Sequence, residues 1–594
     1  MKVSIQFRLI MVLLYIVLLT NCNLPVNQGG PRDVTLNADG SGDFNSLESA
    51  IINLPAGSTI HLSKGNFYVN QSITISSSLT LIGIPEETYV LTDAALYGFL
   101  FENEVETLSI EGVIFQHQGS EYADVFRITA GIVNIQDCTF TGAFGDDQEF
   151  SAAGLFVGGT AQVNINNSKF TENLYYGISA HETAVLTIAD SEFSQNAGGG
   201  LHFLDQSSGT LTNNQIHKNG YSGLIVTDTA HVDGVLNVFA NNQETGAVFF
   251  ENSSGTLSQN ESSGNHFSGF SVIDQANVTL EENQISLNED RGIVVINQAQ
   301  LTAVGNHIFD NLKDGIILQD ESLATINQNE ISQNQFNGIE VSGFAQAEIK
   351  NNTFASNTYN GVSVFDSAYA VVSNNMFDQN QTGIRFGNVA TGEVIQNEIT
   401  QSAISGIIVV ESAEVTINEN QSKNNSESGL AAFDDSIVYA EANTFSHNIT
   451  SGISLDQNTR AQIVNNQIHQ NLVSGIVLQA ASQANIIQNN IYNNGYSGIV
   501  FNAQNQGTIS NNQIYGNDEL GIRLLGASNP IVELNIVSDN KGAGIGVFEQ
   551  ATPTLQNNQC YGNEAGILID QGSNPVLLGN DCHDNLTEDI LDYR

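Results

Sequence analysis

Residues 283–318 read NQISLNEDRGIVVINQAQLTAVGNHIFDNLKDGIIL. The stretch holds one unit and the start of its copy. Asn283, Asn288, Gly292, Ile293 and Val295 return 23 residues later as Asn306, Asn311, Gly315, Ile316 and Leu318. Outward from here the same glycine recurs nineteen times between Gly154 and Gly566, with sixteen steps of 23 residues and two of 22. One and three positions after each of these glycines the chain is apolar, the period of a strand with one buried face. Nine and eleven positions after, a second alternation follows, as at Val163/Ile165, Val278/Leu280 and Val415/Ile417. A third apolar column stands seven before the glycine, at Phe170, Phe193, Ile216, Ile285, Ile308 and Phe354 among others. Three short strands per repeat and no helical period between them predict a three-sided coil. A leucine-rich repeat has a similar period, but its convex side would lack the second alternation.

Two asparagine columns complete the unit. One, four before the glycine, runs from Asn173 to Asn357 and resumes at Asn425. The other runs from Asn214 through Asn397 and onward to Asn580. Asparagine tolerates the left-handed backbone of a sharp corner, and stacked amides can bond backbone and one another along the axis.

The pattern Asn-x-x-x-x-Asn-x-x-x-Gly-Ile-x-Val resembles the repeats of the pectin-lyase-like superfamily. The fold implied is an all-β, right-handed, three-sided parallel β-helix: about 19 regular coils over residues 150–590, after irregular N-terminal coils. Asp39-Gly40-Ser41-Gly42-Asp43-Phe44, with Ser49-Ala50-Ile51 and Leu79-Thr80-Leu81-Ile82-Gly83, is similar to the opening of pectinesterases. In that family a short helix plugs the open core, and Phe44, Leu47, Ile51 and Leu54 have the spacing for it. The expected organisation is a signal peptide over 1–21, a tether over 22–38, a cap over 39–59 and the β-helix over 60–594, its last coil truncated near Ile590.

Lys2 and Arg8 precede an unbroken apolar run, Leu9–Leu19, too short to span a bilayer and of signal-peptide length. Leu19-Thr20-Asn21-Cys22 resembles a bacterial lipobox, although Asn21 replaces the usual small residue. The resemblance implies lipidation at Cys22 and an outer-membrane or cell-surface lipoprotein; an ordinary secretory signal implies a periplasmic or extracellular protein. The lipid would be the only membrane attachment. Of the other cysteines, Cys560 and Cys582 are 22 apart in one inward column. They are expected to stack as a buried thiol pair, because parallel side chains pointing the same way rarely bridge.

With 16 basic against 63 acidic residues the net charge is −47, which excludes a nucleic-acid partner. Only 13% of the chain is charged and 41% is apolar, which excludes a disordered acidic protein.

A solenoid marks its working surface by departing from its period. The gap from Phe115 to Phe126 is about three residues too long, and that from Phe140 to Leu155 seven too long, at the same corner of adjacent coils. The insertions, 116–124 and 141–150, carry His117, Gln118, Glu121 and Asp124, then Asp146, Asp147 and Glu149. The next coil places Tyr175 and Tyr176 there, and Arg127 points outward beside them. Carboxylates, a cation and aromatic platforms suit a sugar site: His117, Glu121, Tyr175 and Tyr176 are candidate substrate contacts. The resemblance to pectate-lyase-like enzymes implies Asp146, Asp147 and Glu149 as Ca2+ ligands and Arg127 as the base; no organic cofactor is implied. The alternative is a solvated acidic loop. A second constellation is the acidic column five after the glycine, beginning Glu182, Asp205, Asp228, Glu251 and Asp274. It reads as a cation row or as a polar turn residue common to the repeat. In register, Asp290 faces Lys313 and Arg291 faces Asp314, a pattern of cross-strand salt bridges.

The catalytic strings of pectinesterases, polygalacturonases and the Asp-Pro-His-Asp of alginate epimerases are absent. Three methionines and scattered histidines also argue against copper handling. Two classes stay open: a surface-anchored protein that binds a polysaccharide or cell-surface glycan, or serves adhesion, without chemistry; and a polysaccharide lyase or epimerase acting on uronate-containing glycans.

Overall fold

The computed structural model describes residues 29–145 and 152–594. The signal peptide and Cys22 lie outside the described residues. Three parallel sheets of 23, 24 and 23 strands wrap one continuous core, and consecutive strands of each sheet come from consecutive coils. In the coil of Gly315, sheet 1 takes Ile316–Leu318, sheet 2 Leu323–Asn327 and sheet 3 Glu330–Ser332. The apolar columns fill the interior: Ile316, Leu318, Ile326 and Ile331 are all fully buried. Where the third column holds phenylalanine the rings stack face to face, Phe140 on Phe170 at 5.1 Å and Phe170 on Phe193 at 5.0 Å. The one described helix, Leu47–Asn53, is capped by Ser46, whose hydroxyl accepts from the Ser49 N–H, and it buries Leu47, Ala50 and Ile51.

Residues 33–36 correct the expected tether. Asp33–Leu36 is a strand of sheet 2, paired in register with Ser58–Leu62, and Val34 and Leu36 are buried. Its alternation is only two residues deep, too short to stand out from a Pro- and Gly-rich leader.

The amides do more than fit a corner. Asn311 Nδ2 donates to Asn334 Oδ1 at 3.0 Å and to the Ile285 carbonyl at 3.2 Å, and its backbone N–H donates to Asn334 Oδ1 at 3.2 Å. Its own Oδ1 accepts from the Nδ2 and N–H of Asn288. Every hydrogen-bonding position of the side chain is thereby filled inside the protein. The second ladder repeats this at Asn306, which donates to Asn329 and to the Leu280 carbonyl. It is continuous from Asn214 to Asn580. The first is broken once: Ser402 stands in its column, its N–H donates to Asn425 and its hydroxyl, buried, has no partner among the described residues.

The left-handed backbone does not sit on the ladder residues themselves. It sits one position earlier, at Leu287, Asp310, Glu282 and Gly305, with φ between 52° and 67°. The positive φ turns the chain so that the next side chain points inward, where an amide is needed. The repeat glycine is required for a different reason. Gly315 has an ordinary φ, but a Cβ on it would lie 2.6 Å from the Gly338 carbonyl oxygen and 2.8 Å from Ile331 Cγ2.

Two outcomes follow for stability. Asn311→Ala strands the Asn288 and Asn334 groups and should cost about 1–3 kcal/mol, whereas exposed Asn252→Ala should cost under about 0.5 kcal/mol. Gly315→Ala should cost about 1–3 kcal/mol by overpacking. Denaturant unfolding of the three variants checks both.

Candidate functional site

Outward side chains of sheet 1 come from two positions per coil, the residue before the glycine and the second after it. These meet within a coil, as Asp124 meets Arg127. Strand register then lines up Arg127, Phe156, Ser179 and His202 on four consecutive strands.

Asp124 is fully buried. Its Oδ2 accepts from Nε and Nη2 of Arg127, the former at 3.0 Å, and its Oδ1 accepts from the Ala153 N–H at 2.9 Å. Burial pushes its carboxyl up to about 6 against the pull of Arg127. The guanidinium lies 4.6 Å from the Phe156 ring centroid and 5.8 Å from that of Tyr97, inside cation–π range. Tyr122 stands beside it, its hydroxyl pushed up to about 12 by burial and by Asp124.

The strip continues through aromatic contacts. His181 stacks on Phe156 at 4.5 Å and its Nε2 lies 2.8 Å from the Ser179 hydroxyl. His202 packs on Tyr176 at 4.7 Å, Tyr176 on Tyr175 at 4.4 Å, and Tyr175 on Tyr221 at 5.8 Å. Burial lowers His181, and burial with the charge of His181 brings His202 down to about 4. Both imidazoles are therefore neutral at pH 7.

Several residues expected at the site lie elsewhere in it. His117 is not on an exposed loop: it ends the strand Ile114–His117, is buried, and desolvation lowers it. The insertion proper is shorter, 118–122, and within it Glu121 is exposed. Asp124 is a buried clamp on Arg127 at the outer face and not a solvent carboxylate. Tyr176 is buried, leaving Tyr175 and Tyr221 as the accessible rings. Asp146, Asp147 and Glu149 lie outside the described residues. Among the described residues no group of three or more His, Cys, Asp or Glu is placed to hold a metal. Phe156, His181 and His202 escaped the sequence reading, because histidines and phenylalanines scattered over a period of 23 show no column until register stacks them.

The acidic column is a turn device. Each residue from Glu182 to Asp274 is left-handed, φ 55–61°, and from Asp205 onward each carboxylate accepts the N–H of the same position one coil earlier. The Glu182 N–H donates to Asp205 at 2.9 Å, that of Asp205 to Asp228 at 3.0 Å and that of Asp228 to Glu251 at 3.1 Å. The expected salt bridges form: Lys313 Nζ lies 2.7 Å from Asp290 and Arg291 Nε 3.5 Å from Asp314. Cys560 and Cys582 are free thiols on paired strands.

The family profile described as a right handed beta helix region matches residues 125–285, 237–367, 337–478 and 474–590. No curated protein matches the chain. Among solved structures it is similar to the periplasmic alginate epimerase AlgG (13% identity, TM-score 0.40, covering 56% of this chain and 83% of that one). It is also similar to the PL6 family alginate lyase AlyGC (11%, 0.32, 94% and 100%) and to pectate lyase Pel9A (15%, 0.28, 57% and 78%).

The Asp205 N–H holds the Asp228 carboxyl below its usual 3.8. Its stabilising contribution is complete above 3.8 and is lost as pH falls through the lowered value. Asp228→Asn keeps a neutral acceptor, as Gln457 does for Asp434. It should therefore unfold less steeply below pH 4 while staying within about 0.5 kcal/mol of wild type at pH 7; acid titration of the unfolding midpoint measures this.

Proposed function

The chain belongs to the right-handed β-helix family, and we propose that it is an exported polysaccharide-binding protein whose binding surface is the outer face of sheet 1 around Arg127. One observation carries the reading: Arg127, Phe156, Ser179 and His202 line up on four consecutive strands beside the accessible rings of Tyr175 and Tyr221. Aromatic faces suit the C–H faces of sugars, hydroxyl and imidazole groups suit their hydroxyls, and the clamped guanidinium suits a sugar carboxylate. At a coil rise of about 4.8 Å the strip is about 15 Å long, a length for several linked rings. The basic start, the apolar run and Cys22 support export and a lipid anchor, which places the partner among cell-surface glycans. The carboxylates of Asp146, Asp147 and Glu149 are the ligands proposed for a bridging Ca2+, since the −47 charge opposes an anionic polymer.

A second reading, lyase or epimerase chemistry on uronate glycans, is favoured by the two neutral imidazoles next to a fixed cation. In an elimination the C5 proton passes to an imidazole nitrogen. The C4=C5 double bond forms, the C4–O bond breaks onto oxygen, and that oxygen takes a proton from solvent. Arg127 neutralises the carboxylate in this scheme, a role its pairing with Asp124 suits better than that of base.

Phe156→Ala should weaken uronate-oligosaccharide binding about tenfold, equivalent to about 1.4 kcal/mol, with only a small fall in melting temperature because Phe156 is half-buried on the outer face, outside the core. Arg127→Ala should weaken it at least as much, but it also strands buried Asp124 and will lower stability. Calorimetric titration with and without chelator, alongside absorbance of the unsaturated product, separates binding, Ca2+ dependence and turnover. Unchanged binding in Phe156→Ala and His202→Ala would remove this face from consideration.

A further inference from the structure

A second departure from the repeat lies far from the first, in the middle of the same sheet. The position before the glycine is serine or threonine in nine of the nineteen coils, whereas four consecutive coils carry the larger polar Arg291, Asp314, Asn337 and Asn360. They form a polar ladder on the outside of the sheet. Asp314 Oδ1 accepts from the N–H and Nδ2 of Asn337, both at 3.0 Å; Asn337 Oδ1 accepts from Asn360 Nδ2 at 2.9 Å. Asn337 Nδ2 also donates to Glu340 at 3.1 Å, and Asn360 Nδ2 to the Ser363 hydroxyl at 3.2 Å.

The ladder stops one coil short of Arg385, which follows Glu340 and Ser363 in register on the outer column. The other arginines of this face are paired. Arg127 has Asp124, Arg291 has Asp290 and Asp314, and Arg523 has Glu519. Arg385 is half-buried and has no hydrogen-bond or ionic partner among the described residues. In a chain with 63 acidic residues an unpaired, partly desolvated cation is out of keeping. On the adjoining corner Phe336 and Tyr359 stack at 5.1 Å with both rings about 44% exposed, a flat apolar platform.

We propose that Arg385 and the Phe336–Tyr359 platform form a second glycan-binding site that takes a sugar unit bearing an anionic group. The guanidinium pairs the anion and the platform takes the ring face. The site lies about 50 Å along the axis from Arg127, so a short oligosaccharide cannot touch both. The two sites therefore stand or fall separately. A sugar carboxylate and a sugar sulfate offer the same chemistry to Arg385.

Titration with a uronate trisaccharide, a sulfated trisaccharide and a neutral trisaccharide tests this. Wild type should bind at least one anionic probe, and Arg385→Gln should weaken that binding at least tenfold while Phe156→Ala leaves this component intact. The neutral probe should bind weakly and be indifferent to Arg385→Gln. Tyr359→Ala, at an exposed ring, should weaken anionic binding about fivefold without lowering the melting temperature. If neither anionic probe binds wild type, or if binding is abolished by Phe156→Ala and untouched by Arg385→Gln, the second site does not exist. In the latter case the site around Arg127 stands alone.

Discussion

The structure depends on the stacked carboxamide. A coil of three short strands and three corners cannot satisfy its own backbone. At two corners it offers a carbonyl and an N–H to the interior, and one asparagine per corner absorbs both while handing an oxygen to the next coil. The spacing of outward and inward residues alike is set by that exchange, since a ladder bond of 2.9–3.0 Å leaves no freedom in the rise between coils. The bare glycine is a second consequence. With coils so close, the carbonyl of the next glycine occupies the place of a methyl group.

The same tight rise explains how much could be read from sequence. Columns that must repeat in every coil, such as Gly315–Gly338 or Asn306–Asn329, appear as a period, so the fold was legible in full outline. The conformational reason given for asparagine was misplaced by one residue, because φ at Leu287 and Asp310 is invisible in composition and leucine is a poor guide to a left-handed turn. The candidate face was legible only in part. Coil-length anomalies pointed to the corner that holds Arg127, Tyr175 and Tyr176. They also drew in His117, an inward residue on a strand. They missed Phe156, His181 and His202, which meet only through register across coils of regular length.

Cations on the outer face of sheet 1 are few, and each paired arginine is fixed by a carboxylate from its own corner. Arg523 repeats the arrangement of Arg127 near the far end: it bonds Glu519 and the Tyr496 hydroxyl and lies 5.2 Å from the Tyr496 ring. An acidic solenoid can in this way present isolated positive points along one line without recruiting lysine-rich surface. The acidic column elsewhere on the coil serves the backbone and is separate from this face.

The single gap in the first ladder has a consequence for how the molecule holds together. Coils of a solenoid are coupled to their nearest neighbours only, so its cooperativity is that of a one-dimensional chain of linked units. At Ser402 one of the two amide couplings is missing, while the second ladder passes through Asn397 to Asn420 unbroken. The rod is thus two cooperative blocks joined by a weaker link, and strain applied along the axis concentrates at that joint. Arg385 lies one coil from it, so the outer face at mid-rod borders the boundary across which one half can loosen while the other keeps its register.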